Sequence, residues 1–285
     1  MSIFLDSELS AEERLEEKAF FTVIPVPLER TVSYGSGTAK GPEAIIEASN
    51  ELERLCADSF PCEKGIFTQD ALDCEGPLPE VMERLAQRTE TAVKAGKLPV
   101  TLGGEHSLSY GAVMGVARAL NKPVGIVQID AHADLRIAYQ GNPHSHASVM
   151  NLLAEEGIKL AQFGVRALCE QESRSREKFG VFFEDAEDLV SGNMHAVDLP
   201  VDFPELIYIS FDVDGLDPSQ MPATGTPVPG GLSYYQALHL VEHALVGRRC
   251  VGMDIVELAP DGNSAWDFTA AQITYRMMAA ALKSR

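Results

Sequence analysis

Short apolar runs alternate along the chain with longer amphipathic stretches. Residues 20–25, 98–102, 124–129, 160–165, 181–183, 206–211 and 251–256 are rich in Val, Ile and Phe. They are too short for helices and predict strands. Helices are expected near residues 42–55, 79–95, 108–120, 147–156, 234–246 and 266–282, with Pro42 well placed in a first helical turn. Strands that are apolar on both faces belong to a sheet covered on each side. The pattern predicts a three-layer α/β/α sandwich around a mostly parallel central sheet. No repeat or linker-like shift in composition interrupts it, so residues 1–285 are expected to form a single domain.

Sheets of this kind bind ligands beyond the carboxyl ends of their strands. Several runs here end in residues with metal or acid–base chemistry. In Asp130-Ala131-His132-Ala133-Asp134 three potential ligands alternate with alanine. Extended chain would place all three on one face, and the alanines leave room for close approach. Buried carboxylates at such a point need a cation or a partner. In Ser210-Phe211-Asp212-Val213-Asp214-Gly215-Leu216-Asp217-Pro218, Asp212 and Asp214 close a strand run. Asp217, before proline, reads as a turn former. The spacing lacks the closing glutamate of a calcium loop. In Gly103-Gly104-Glu105-His106-Ser107 the glycines are expected to turn the backbone tightly and present His106. Glu257 ends the last run.

Charge narrows the partners. The 285 residues carry 23 Lys+Arg against 42 Asp+Glu, a formal charge of −19. Nucleic acids and anionic membranes are polyanions and are excluded as expected partners. A small cationic ligand suits the balance. Cys56, Cys62, Cys74, Cys169 and Cys250 are odd in number and form no C-x-x-C pair, so reduced thiols are expected. The N-terminal stretch is acidic and no apolar run reaches membrane-spanning length, so a cytoplasmic protein is expected.

Taken in order, G-G-E-H-S, D-A-H-A-D, S-F-D-V-D-G-L-D-P and Pro222–Gly231 (P-A-T-G-T-P-V-P-G-G) resemble the motifs of the ureohydrolases, the arginase and agmatinase family. Residues 32–35 and 40–45 resemble the family's N-terminal region, so the likeness runs over about residues 21–278. The resemblance implies an arginase-like fold, a homo-oligomer (trimer or hexamer) and two Mn²⁺ per subunit. It implies His106, Asp130, Asp134 and Asp212 as ligands of one ion. Asp130, His132, Asp212 and Asp214 would hold the other, with Asp130 and Asp212 bridging. The four carboxylates and two imidazoles form an oxygen-rich set that suits manganese. Glu257 matches the glutamate that grips the guanidinium, and His146 the acid–base histidine. His144, two residues away, competes for that role.

The implied reaction is hydrolysis of a linear guanidino compound to urea and an amine, with agmatine to putrescine as the leading substrate. Aminopropylagmatine, guanidinobutyrate and arginine are the alternatives. The asparagine and hydroxyl residues that arginases place after the metal loop are missing from Leu135-Arg136-Ile137-Ala138-Tyr139. Arg136 is awkward for a cationic substrate; it suits either a carboxylate ligand or a neighbouring acid that keeps it from meeting substrate. Two readings lie outside the class. His239-Leu240-Val241-Glu242-His243 has the spacing of a zinc peptidase motif. On a helix whose buried stripe is Tyr234, Leu238, Val241 and Leu245, it reads as a polar face with Gln236. A non-catalytic binding relative is the other, and it conflicts with an intact set of ligand positions.

Overall fold

The computed structural model describes residues 2–284. Its strands are β1 (Phe21–Val26), β2 (Ile66–Thr68), β3 (Leu98–Gly103), β4 (Val124–Ile129), β5 (Lys159–Phe163), β6 (Phe182–Glu184), β7 (Leu206–Asp212) and β8 (Arg249–Val256). They form one sheet in the order β2-β1-β3-β8-β7-β4-β5-β6. Every adjacent pair is parallel, so the mostly parallel sheet expected from sequence is wholly parallel. Parallel neighbours need crossovers. The helices that supply or flank them are α1 (Gly41–Ala48), α2 (Leu78–Lys94), α3 (Ser109–Leu120), α4 (Val149–Glu155), α5 (Glu170–Phe179), α6 (Ala186–Ser191), α7 (Tyr234–Ala244) and α8 (Ser264–Lys283).

Strand alternation divides the core between two layers. Val127, Ile209 and Met253 join the residues of α1, α7 and α8, whereas Ile126 and Tyr208 join those of α2, α3 and α4. No helix among the described residues is long and apolar enough to cross a membrane.

Three elements escape the apolar pattern. The edge strand β2 is three residues long, and α6 is barely longer than a turn and a half. In α5 only Phe179 is apolar, so no stripe announces it. Its start is fixed by a capping box, in which Glu172 reaches back to the Cys169 N–H. Helix α1 stops earlier than expected. Ser49 turns its hydroxyl back to the Ile46 carbonyl at 2.6 Å and accepts the Leu5 N–H at 2.8 Å.

Gly103 and Gly104, at the end of β3, serve another purpose than the tight turn expected. Neither lies at positive φ. A Cβ on Gly104 would sit 1.9 Å from the Leu28 carbonyl oxygen, so glycine here permits two chain segments to touch.

Strands β3, β8, β7 and β4 are neighbours at the middle of the sheet. Ile129 is in register with Phe211, and Asp212 with Val256. The residues that follow these strands therefore leave the sheet side by side.

Candidate metal centre and substrate cleft

Six predicted ligands meet at those strand ends. His106 Nδ1 lies 3.1 Å from Asp130, 3.0 Å from Asp134 and 3.4 Å from Asp212. His132 Nδ1 lies 3.0 Å from Asp214 and 3.5 Å from Asp130. The ligand atoms of His106, Asp130 and Asp212 fall within 4.8 Å of one another, as do those of Asp130, His132 and Asp214. Asp130 belongs to both groups. The extended-chain argument accounts for Asp130 and His132 but not for Asp134, which turns into the cluster at φ 51°. Asp214 sits in a 3-10 turn after β7, its N–H held by Asp212 at 2.8 Å.

Hydrogen-bond direction shows what His106 offers. Its Nε2 contacts the Ser210 hydroxyl at 2.8 Å, and that hydroxyl donates to Asp254 at 2.8 Å. With its one proton committed, Ser210 can only accept, so Nε2 carries the imidazole proton. Nδ1 is then the nitrogen aimed at three carboxylates; burial opposes a charge on the ring, but these carboxylates outweigh it and hold the imidazole well above its ordinary pKa. Such an arrangement calls for a cation, and a second-layer hydroxyl that fixes the imidazole is what a metal-binding histidine requires.

The electrostatics agree. Burial, then the charges of Asp214 and Asp130, push Asp212 well above the usual carboxylate range. Burial and the Asp130 charge raise Asp134 to about 7. Burial opposes a charge on His132, but Asp214 and Asp130 outweigh it and raise it to about 12. Four carboxylates this close are held together by protons or by metal ions. The donor set fits a pair of divalent ions.

Buried polar side chains hold the cluster in place. The Gln128 amide donates to Asp130 at 2.7 Å and accepts from Gln162 at 2.7 Å, and Arg176 donates to Gln162 at 3.0 Å. Arg166 donates to the backbone carbonyls of Asp214, Leu216 and Val228 and so braces the second aspartate loop. Asp217 accepts the N–H groups of Ser219, Gly230 and Gly231, which bears out its reading as a turn former. Sequence reasoning assigned no role to Gln128, Ser210 and Asp254. The signal available was a polar residue inside an otherwise apolar strand.

A cleft of about 420 Å³ opens from this cluster, lined by His132, Asp134, Arg136, Tyr139, His146 and Glu172 among others. A smaller adjoining pocket, which shares His132, Asp134 and His146 with the cleft, is lined by Glu257 and Asp212. Glu257 follows β8 at φ 64° and accepts the His106 N–H at 2.6 Å. Burial raises its carboxyl to about 8. His146 faces the cleft, its ring edge-on to Tyr139, and burial lowers its pKa. His144 packs against Tyr110 and lines neither part. Arg136 lies over the Tyr139 ring and 3.8 Å from the buried Glu172, a neighbouring acid.

The peptidase-like histidines do not converge. His239 Nδ1 contacts His195 at 3.3 Å, whereas His243 pairs with Asp198 and Glu242 with Arg276. Gln236 is not part of a solvated face. It is buried, caps α7 from Ser233, and donates to the Leu189 carbonyl. Tyr234 and Trp266 are half-buried against the core.

A parallel sheet carrying two imidazole–carboxylate groups at its central strand ends is the framework of a metal-dependent hydrolase. The chain matches the arginase family over residues 19–282. It is 39% identical over 269 residues to the N(1)-aminopropylagmatine ureohydrolase of Thermus thermophilus, covering 91% of this chain and 89% of that protein. Identity to the agmatinase of Pyrococcus horikoshii is 34% over 265 residues, 90% of each chain. The structure superposes on the agmatine ureohydrolase of Thermoplasma volcanium with a TM-score of 0.84 at 29% identity, covering 99% of this chain and 95% of that one. This chain belongs to the arginase family, and it is a metal-dependent ureohydrolase of a guanidino compound.

Proposed function

We propose that the enzyme hydrolyses N1-aminopropylagmatine to urea and the corresponding triamine, using two Mn²⁺ ions. The similarity to the Thermus ureohydrolase carries this choice, at 39% identity against 34% for the Pyrococcus agmatinase. It displaces agmatine, the leading substrate on sequence grounds. The cleft beyond His146 supports it, since about 420 Å³ accommodates a tail longer than a four-carbon amine.

The two ions, when bound, supply Lewis acidity and bring the pKa of water toward neutrality. The rest is the work of side chains. The Glu257 carboxylate pairs with the planar guanidinium, and its hydrogen bond from the His106 N–H fixes which way the carboxylate faces. A carboxyl raised to about 8 by burial is returned to its ionised form by the incoming cation. Water adds its oxygen to the guanidinium carbon, and the bond from that carbon to the nitrogen bearing the alkyl chain breaks, leaving urea and the amine. His146 delivers the proton that lets the amine leave.

The purified manganese-loaded enzyme is tested for urea release from aminopropylagmatine, agmatine, guanidinobutyrate and arginine. We expect kcat/KM for aminopropylagmatine to exceed that for agmatine by at least ~10-fold. Equal or better use of agmatine would make the enzyme an agmatinase, as the Pyrococcus and Thermoplasma relatives favour. No urea from any of the four would overturn the substrate class.

A further inference from the structure

Thr31 lies between β1 and α1, outside the ligand motifs, yet it joins two parts of the site. Glu105, fully buried beside His106, receives only donors. These are the N–H groups of Arg30 and Thr31 and the hydroxyls of Ser107, at 2.6 Å, and Thr31, at 2.8 Å. The Thr31 hydroxyl proton is thus committed to the Glu105 carboxylate. The same oxygen lies 3.0 Å from the His146 backbone N and 3.1 Å from His146 Nδ1. A hydroxyl has one proton and two lone pairs, so both contacts must be donated by the histidine.

We propose that Thr31 is a positioning residue that holds His146 in its Nδ1–H tautomer, leaving Nε2 as the ring nitrogen that exchanges protons with the cleft. The inference rests on the reading of His146 as the acid–base residue. Tautomer and ring orientation are set together, as they are wherever a neighbouring acceptor fixes a catalytic imidazole. Glu105 acts one step further back, by using up the threonine proton. When Nε2 gains or loses a proton, the contact of Nδ1–H with Thr31 is unchanged, so no side chain has to turn during the reaction.

The test is a double-mutant cycle on the manganese-loaded enzyme, with metal content and thermal unfolding measured on every variant. Thr31→Val keeps the shape but removes the acceptor; Thr31→Ser keeps the hydroxyl. We expect Thr31→Val to lower kcat at least ~10-fold with KM and metal content unchanged, and Thr31→Ser to stay within ~3-fold of wild type. In a His146→Ala background Thr31→Val should cost nothing more, because its effect runs through the ring. Equal losses in both backgrounds, or a kcat for Thr31→Val within ~2-fold of wild type, would overturn the inference while leaving His146 its role. Near-normal turnover by His146→Ala would overturn that role instead. A readout that needs no variant is the ¹⁵N-histidine spectrum of the zinc-loaded wild type, zinc replacing manganese as a diamagnetic ion. Above its titration, His146 should show a protonated Nδ1 and a bare Nε2. The opposite pattern contradicts the proposal.

Discussion

At the scale of single residues the site is built by spending each polar hydrogen once. Ser210 donates to Asp254 and must accept from His106, which turns Nδ1 of that ring into the cluster. Ser210→Ala removes the acceptor without touching a ligand. Metal affinity should fall by roughly 10- to 100-fold, read by titration into metal-free protein, with the far-ultraviolet spectrum unchanged. Unaltered affinity would mean that the imidazole is fixed by other contacts. Two acidic residues of the site, Asp134 and Glu257, sit at positive φ, a backbone region that costs roughly 1–3 kcal/mol and recurs at functional positions. Which residue types converge was legible from the alternation in Asp130–Asp134 and from the strand-end aspartates. The left-handed turns were not, because Asp134 sits in a run that reads as extended chain and a glutamate is not a residue that favours positive φ. The supporting Thr31 and Glu105 were equally hidden. Their roles come from contacts across 74 positions of sequence, which no spacing rule detects.

Among the elements, the closest packing is between α2 and α3. A Cβ on Gly115 would lie 2.1 Å from both the Ala86 carbonyl oxygen and the Thr89 hydroxyl, and one on Gly111 would lie 2.3 Å from the Met82 carbonyl. Helix propensity alone favours alanine over glycine by about 1 kcal/mol. Overpacking at this contact wins, and Gly115→Ala should destabilise the protein by at least ~2 kcal/mol in urea unfolding. A stabilised variant would show that the helices can separate freely. The central strands were read to within a few residues because they are apolar runs buried on both faces. Failure came where burial is partial: β2 at the sheet edge, and α5, whose ten residues are held by a cap and ion pairs such as Arg176–Asp185. Gln236 shows the same limit, since its amide is buried by capping bonds and not by its hydropathy.

For the whole molecule, removing the metals exposes a conflict that the fold otherwise contains. Asp134 is raised to about 7 and Glu257 to about 8, burial being the leading cause for both. The unfolded chain releases these protons near pH 4, as ordinary carboxyls do. Over the interval between, the folded state binds more protons than the unfolded one, so stability must fall as pH rises. Metal-free protein should therefore lose thermal stability from about pH 5 to about pH 8, and His132, raised to about 12, continues the loss at higher pH. Bound divalent ions hold ligand carboxylates such as Asp134 ionised, so the loaded enzyme should show a shallower slope, the remainder coming from Glu257. Parallel melting curves on chelator-treated and loaded samples compare the two, and a flat metal-free profile would contradict the account.

The central claim is that six residues hold the metals while Glu257 holds the substrate. Metal stoichiometry measured beside urea release, for wild type, Asp212→Asn and Glu257→Gln, tests it directly. Asp212→Asn should lose metal and rate together. Glu257→Gln should keep two ions per chain yet lose at least ~100-fold in kcat/KM, about 2.7 kcal/mol of transition-state stabilisation, because an amide turns a donor toward the guanidinium's own donors. Loss of metal from Glu257→Gln, or near-normal urea release with both ions in place, would contradict that division of labour.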